Sequence, residues 1–386
     1  MSSAAAAPAE VVAAPASTAT SDRPARRYVP WLSWVRVVAT IAVVACHVCT
    51  HLAWEWGKVS DREWHFGNLV TATSRFSVPI FVMASGAVLL QAGRNQSLRD
   101  FYARRASRLA IPLLAWSAFY IWFGRWTTGQ DLAWSDFPRL LLLGQPYYHL
   151  YFLFVIFGLY LITPFLRIFV DAAPRRYLVT GTALIIAVTL FDKLHRVFSG
   201  LSLEPNAFSY FLPWIGYYLL GYVLLTMPMP ASRRRVGWIA GVTFAVTLLA
   251  NVIGTWVLYM AFANRYGLML YHYQLLGPMI MAIAMVFLMR AIFGDGEPVD
   301  ATRDRAATAA SEKPKKRPVG LRLADLTLGI YLIHPIPVAF VREYQPRFSS
   351  PWSSIGYHSA GVVVVLLLCA AAAWLLLRVP YVRRLV

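Results

Sequence analysis

Residues 31–57, WLSWVRVVATIAVVACHVCTHLAWEWG, decide how the rest of the chain is read. The stretch is apolar and long enough to cross a bilayer, which takes about 20 helical residues, yet it carries Arg36 and His47. Ionisable side chains inside a span are costly and mark function by default. Eleven helical residues turn through about 1100°, leaving the two side chains roughly 20° apart around the axis and about 16 Å apart along it. They share one face at two depths. An arginine near one end and a histidine further in, along one wall of a cavity, suit a site that takes an anionic group from one side and does chemistry deeper.

Segments of the same kind recur, and ten are expected as spans: 32–53, 69–91, 109–126, 149–169, 177–193, 208–226, 236–262, 268–290, 323–341 and 355–377. The 386 residues are 58% hydrophobic and 14% charged, with a mean hydropathy of +0.54; soluble domains carry about 25% charged residues. The expected fold is an all-α polytopic membrane protein with about ten transmembrane helices, multi-pass in the plasma or inner cell membrane. Its net charge of +18 is concentrated in short clusters: Arg23, Arg26 and Arg27; Arg94 to Arg108; Arg167, Arg175 and Arg176; Arg233 to Arg235; the 290–322 loop; and Arg378, Arg383 and Arg384. Placing both termini in the cytoplasm puts all of these on the cytoplasmic side, as the positive-inside rule requires. Basicity is read as topology, with membrane lipid as the surrounding partner. Without a soluble domain to carry a reading surface, nucleic acid is not an expected partner.

Residues 1–29, rich in Ala, Pro and Ser, read as a disordered cytoplasmic tail. The membrane domain follows over 30–293 with spans one to eight, and Trp54 and Trp56 fit the outer aromatic belt. In the second span, SRFSVPIFVMASGAVLL, Arg75 either snorkels to outer headgroups or faces the interior, and Ser85-Gly86 lets a neighbouring backbone come close. The cytoplasmic run SLRDFYARRASRLAIP places Arg104 and Arg108 on one helix face with Arg105 nearby. Guanidinium forks there suit either phosphates or anionic lipid. His149 stands among tyrosines at the mouth of the fourth span. Residues 294–320, charged and without periodicity, read as a disordered cytoplasmic loop. Spans nine and ten occupy 321–386, and the ninth, LRLADLTLGIYLIHPIPVAF, carries Tyr331 and His334 three apart ahead of two bending prolines.

Cys46, Cys49 and Cys369 lie in apolar spans and give no disulfide framework. His47 with His51, and Cys46 with Cys49, form pairs at helical spacing, but the two pairs point about 100° apart. No metal is expected, and no phosphate-loop, dinucleotide-turn or nucleophile-elbow motif is present.

Taken in order, Arg36 with His47, Arg75 with VPIFVMASG, Arg105-Ala-Ser-Arg108, HLYFL in span four and GIYLIHP in span nine resemble the membrane acyltransferase-3 family. The nearest resemblance is to its stand-alone surface-polysaccharide O-acyltransferases, and it covers about 30–380. It implies transfer of an acyl group, most often acetyl, from cytoplasmic acyl-CoA to a hydroxyl of a cell-envelope polysaccharide or glycolipid. Acyl-CoA is then a co-substrate, and no cofactor stays bound. On the family's pattern His47 is catalytic with Arg36 as partner and donor-binding group; Arg75, Arg104, Arg105 and Arg108 are candidates for binding acyl-CoA. Ser85, His149, Tyr331 and His334 are candidates for supporting roles. The family's Ser-Gly-Phe is Ser85-Gly86-Ala87 here, and Tyr151 replaces the commoner tryptophan after His-Leu. Both changes concern the shape of the acyl pocket more than the chemistry.

Residue chemistry agrees with the resemblance, because a neutral imidazole can take the proton of an acceptor hydroxyl or itself carry the acyl group. Some relatives carry a fused extracytoplasmic esterase-like domain. With Val386 just past the tenth span, direct transfer to a small or lipid-linked acceptor is the expectation, ahead of hand-over to a separate protein. The alternative is a transporter or exporter of a glycan or lipid precursor, which intramembrane Arg and His and bent helices also suit. It lacks carboxylates within the spans for a proton relay, since Asp325 and Glu343 lie at edges.

Overall fold

Pro30, with a fixed φ and no N–H to lose, opens helix α1 (Pro30–Trp54). The computed structural model describes residues 28–91, 97–129, 133–200, 205–262, 266–296 and 317–386. The tail read at 1–29 and the loop read at 294–320 lie outside the described residues except at their edges. After α1 come α2 (Asp61–Ser74), α3 (Ser77–Leu89), α4 (Leu98–Thr128), α5 (Phe137–Leu143), α6 (Tyr151–Ala172) and α7 (Arg175–Ser199). Then follow α8 (Ile215–Thr226), α9 (Arg233–Phe262), α10 (Leu276–Phe293), α11 (Val319–Ile333), α12 (Pro335–Glu343) and α13 (Pro351–Arg378). The described residues form no strand. α1 is the axis, packing against α2, α3, α10, α11, α12 and α13.

Among the described residues, eight helical stretches are long and apolar enough to cross a membrane, with α2 and α3 counted as one; α11 and α12, bent by 51°, make a ninth. The expected tenth falls short at 208–226, where the apolar helix runs only Leu212–Thr226, under the roughly 20 residues a crossing needs. A turn precedes it: the Asn206 side-chain oxygen accepts from the Phe208 N–H at 2.9 Å, and Ser209 Oγ from the Asn206 N–H at 2.9 Å. Side chains that bond local backbone in this way compete with helix.

Two spans are broken, and each break has a proline behind it. Pro79 has no N–H for the carbonyl of Arg75, four residues back, and the chain turns there between α2 and α3. Pro335 likewise frees the carbonyl of Tyr331, and α11 ends at Ile333. Elsewhere the helices close tightly. A Cβ on Gly86 would overlap the Tyr218 carbonyl oxygen, and one on Gly221 the Met83 carbonyl oxygen. The Ser85-Gly86 pair therefore brings α3 and α8 to backbone contact, the close approach its sequence predicts.

Arg290, 2% exposed, fastens the end of α8. It donates to the carbonyls of Leu224 and Met227 at 2.9 Å each and pairs with Asp295 at 2.7 Å. These carbonyls have no partner within their own helix. Arg290→Met is expected to lower the thermal midpoint of the purified protein, at a cost of about 1–3 kcal/mol for the orphaned acceptors. Asp295→Asn should cost less, since Asp295 is 37% exposed.

Candidate active site

The face of α1 that carries His47 meets three elements. The His47 ring lies 5.1 Å from that of His334, at the break between α11 and α12, and 5.0 Å from that of Tyr148, in the turn before α6. His149 stands behind, 5.4 Å from His334 and 5.4 Å from Tyr331. Tyr148 is 47% exposed and His47 half-buried, so this side of the cluster is its more open one. The inner side is closed by His334, His149 and Tyr120, at 0%, 1% and 0% exposure.

Hydrogen bonds hold these groups in place. Tyr331 donates to the carbonyl of His149. Tyr120 donates to the carbonyl of Leu332 at 2.5 Å. Arg342, near the end of α12, donates to the carbonyl of His47 at 2.6 Å and tethers α1 at this level. The carbonyl of Tyr331, freed by Pro335, takes the Nδ1–H of His334 at 2.7 Å.

Arg75 sits in the break between α2 and α3, 9% exposed. Its guanidinium lies 4.9 Å from the Tyr271 ring and 5.1 Å from the Tyr273 ring. The snorkelling alternative fails: the charge turns inward, within electrostatic reach of His47. No carboxylate is within ion-pair distance of it among the described residues.

At the other end of the same α1 face, Arg36 donates to Thr327 Oγ1 of α11 at 3.3 Å, with Tyr160 of α6 and Asp325 close by. Arg105 of α4 lies over the Tyr160 ring at 5.6 Å, and Arg108 is also within reach of Tyr160. Arg105 thus contacts Tyr160, with Arg36 and Arg108 in electrostatic range of the same side chain. Arg104 is exposed and turned back onto its own helix, its Nε donating to the carbonyl of Asp100 at 3.1 Å. Ser85 donates to the carbonyl of Phe81 at 2.9 Å and stays within its helix.

Residue pattern alone does not single out Tyr148, Tyr160, Thr327 or Arg342. Tyr148 sits beside the noted His149, and Arg342 lies at the end of the proline-bent span, but Tyr160 and Thr327 carry no local signal. Cys46, Cys49 and Cys369 are free and buried. Among the described residues, no group of three or more His, Cys, Asp or Glu is placed to hold a metal.

The arrangement offers a part-exposed imidazole with a second imidazole at its back, a guanidinium held by two tyrosines without a carboxylate partner, and Arg36 further along the same helix. A protein-family profile described as "Acyltransferase domain" matches residues 29–374. Neither the curated proteins nor the solved structures give a match to the chain.

Proposed function

Because the chain belongs to the membrane acyltransferase-3 family and is a multi-pass membrane acyltransferase, we propose that it moves an acyl group, acetyl in the first instance, from cytoplasmic acyl-CoA to a hydroxyl of a cell-envelope polysaccharide or glycolipid. The observation that carries this reading is one helix face with two stations. Arg36, in electrostatic range of the Tyr160 that Arg105 contacts, stands at one level, and the half-buried ring of His47 stands at the other.

In this reading Arg36, Arg105 and Arg108 hold the CoA phosphates by charge-assisted hydrogen bonds. His47 takes the proton of the acceptor hydroxyl as its oxygen attacks the thioester carbonyl. Arg75 is the cation that faces the developing oxyanion. The C–S bond breaks as the ester forms, and the proton passes to the departing CoA thiolate. The donor side is taken as the cytoplasmic one, where the positive-inside rule places the arginine-rich segment around Arg105. The membrane in question is the plasma or inner membrane.

The test is thiol release by the purified protein in lipid vesicles, given acetyl-CoA and crude envelope lipid and glycan. Release that requires the envelope fraction supports the proposal. Failure with acetyl-CoA and with longer acyl-CoAs alike would remove it. Arg105→Ala is expected to raise KM for acyl-CoA about 10-fold or more, the equivalent of one charged hydrogen bond, with kcat little changed, the pattern of lost uniform binding. An unchanged KM would take Arg105 out of the donor site.

A further inference from the structure

We propose that His334 is a positioning residue that fixes the tautomer and orientation of His47. This rests on the reading of His47 as the base.

The chain of causes begins at Pro335, which cannot donate to the carbonyl of Tyr331. His334 fills that vacancy, with Nδ1 2.7 Å from the Tyr331 oxygen. A carbonyl only accepts, so Nδ1 carries the proton, and Nε2 of the neutral ring is left as an acceptor. Nε2 is buried and has no partner among the described residues, in a side chain 0% exposed. An unsatisfied buried acceptor of this kind is costly.

The nearest use for it is His47. Two imidazoles bridged nitrogen to nitrogen at about 2.9 Å have ring centres roughly 5 Å apart. The centres of His47 and His334 are 5.1 Å apart, with the planes tilted by 31°. His149, 5.4 Å away and turned by 81°, packs edge to face instead. A small swing of His47 places the single N–H of its neutral ring on His334 Nε2. Its other nitrogen is then obliged to present a lone pair to the more open side and Tyr148.

The remaining charged and titratable groups around His47 are Arg75 from the α2–α3 break, Tyr148 before α6, and Arg342 of α12. None is a carboxylate, so His334 is the acceptor that stands where a carboxylate orients the base in other acyl-transfer sites. During transfer the acceptor proton enters at the nitrogen on the open side and leaves for the thiolate from the same nitrogen. The proton facing His334 never moves, and its hydrogen bond is strongest while His47 carries charge.

The α1 face holds a comparison pair one turn further on. His358 Nδ1 lies 2.8 Å from the Ser354 carbonyl, and its ring is 4.9 Å from that of His51. This pair has no place in the transfer, so His358→Leu is expected to leave kcat within about twofold, well inside the 10²-fold scale of acid–base catalysis.

The experiment uses the full chain in lipid, with thiol release as one readout and the nitrogen NMR spectrum of histidine-labelled protein as the other. His334→Leu should lower kcat by about 10²-fold with KM for acyl-CoA unchanged, and should turn the single-tautomer signal of His47 into a mixture. His334→Gln, whose amide oxygen can accept the same N–H, should recover most of the rate. Equal loss in both variants, or an unaltered His47 signal in His334→Leu, overturns the assignment. Should His334→Leu not fold, the wild-type spectrum decides, because a mixed-tautomer His47 there is incompatible with a fixed acceptor. The spectrum requires no turnover. A protein with one His47 tautomer but no transfer to any acceptor would refute the acyl-transfer reading and leave the pairing intact.

Discussion

His47→Ala is expected to lower acyl transfer by about 10²- to 10⁴-fold, the usual worth of a positioned general base, while the protein stays folded and still binds acyl-CoA. Position supports the separation of effects. Arg36 is eleven residues and about 16 Å away along α1, held to Thr327 and in electrostatic range of Tyr160, neither of which involves His47. His47 is half-buried beside the 47% exposed Tyr148 and is not among the fully buried core side chains, so truncation spares the packed core. The tether from Arg342 reaches the His47 backbone carbonyl, which alanine keeps. The checks are the rate of CoA release, the KM for donor, and the thermal midpoint of the variant. A variant that loses donor binding in step with rate would show that His47 holds the donor and does not act on the acceptor.

The second large effect is on the fold. Gly86→Leu is expected to prevent α3 and α8 from docking, with severe loss of folded protein on purification. Even a single Cβ at position 86 falls on the carbonyl oxygen of Tyr218, which is backbone and cannot swing away. Gly221 faces Met83 in the same way from the other helix, so the two backbones are in contact at both positions. Overpacking a filled core typically costs about 1–3 kcal/mol and occasionally more, and backbone against backbone lies at the upper end. Gly241→Leu, where nothing lies within 4 Å of the added Cβ, serves as the comparison and should fold normally. Normal yield and thermal midpoint for Gly86→Leu would mean that the α3–α8 crossing is looser than described.

Much of this architecture is legible in the sequence because its signals are local. Helical periodicity places Arg36 and His47 on one face, Pro79 and Pro335 mark the breaks, and Ser85-Gly86 marks a close crossing. What is not legible is what lies opposite each of these. Thr327 bonds Arg36 across 291 positions, and Arg342 bonds His47 across 295; no spacing rule reaches so far. Helical spacing ties Arg108 to both Arg104 and Arg105 but does not say which face turns inward. In the structure Arg105 lies over Tyr160, Arg108 is exposed, and Arg104 folds back on its own turn. Arg75 had two readings because a long cation near a span's end either snorkels or pairs inward. The two tyrosines that hold it belong to a segment almost 200 residues later in the chain. The tenth span failed because hydropathy records apolar length but not the turn by which Asn206 and Ser209 shorten the helix.

The most direct measurement follows the acyl group itself. Acetyl-CoA labelled in the acetyl carbon is given to the purified protein in vesicles with envelope glycan and lipid, and the label is traced in the product. The account predicts label in an alkali-labile ester on an acceptor hydroxyl, one acetyl for each CoA released, and absent with His47→Ala. Label that remains on CoA while glycan or lipid crosses the vesicle membrane would contradict it, and would identify a carrier.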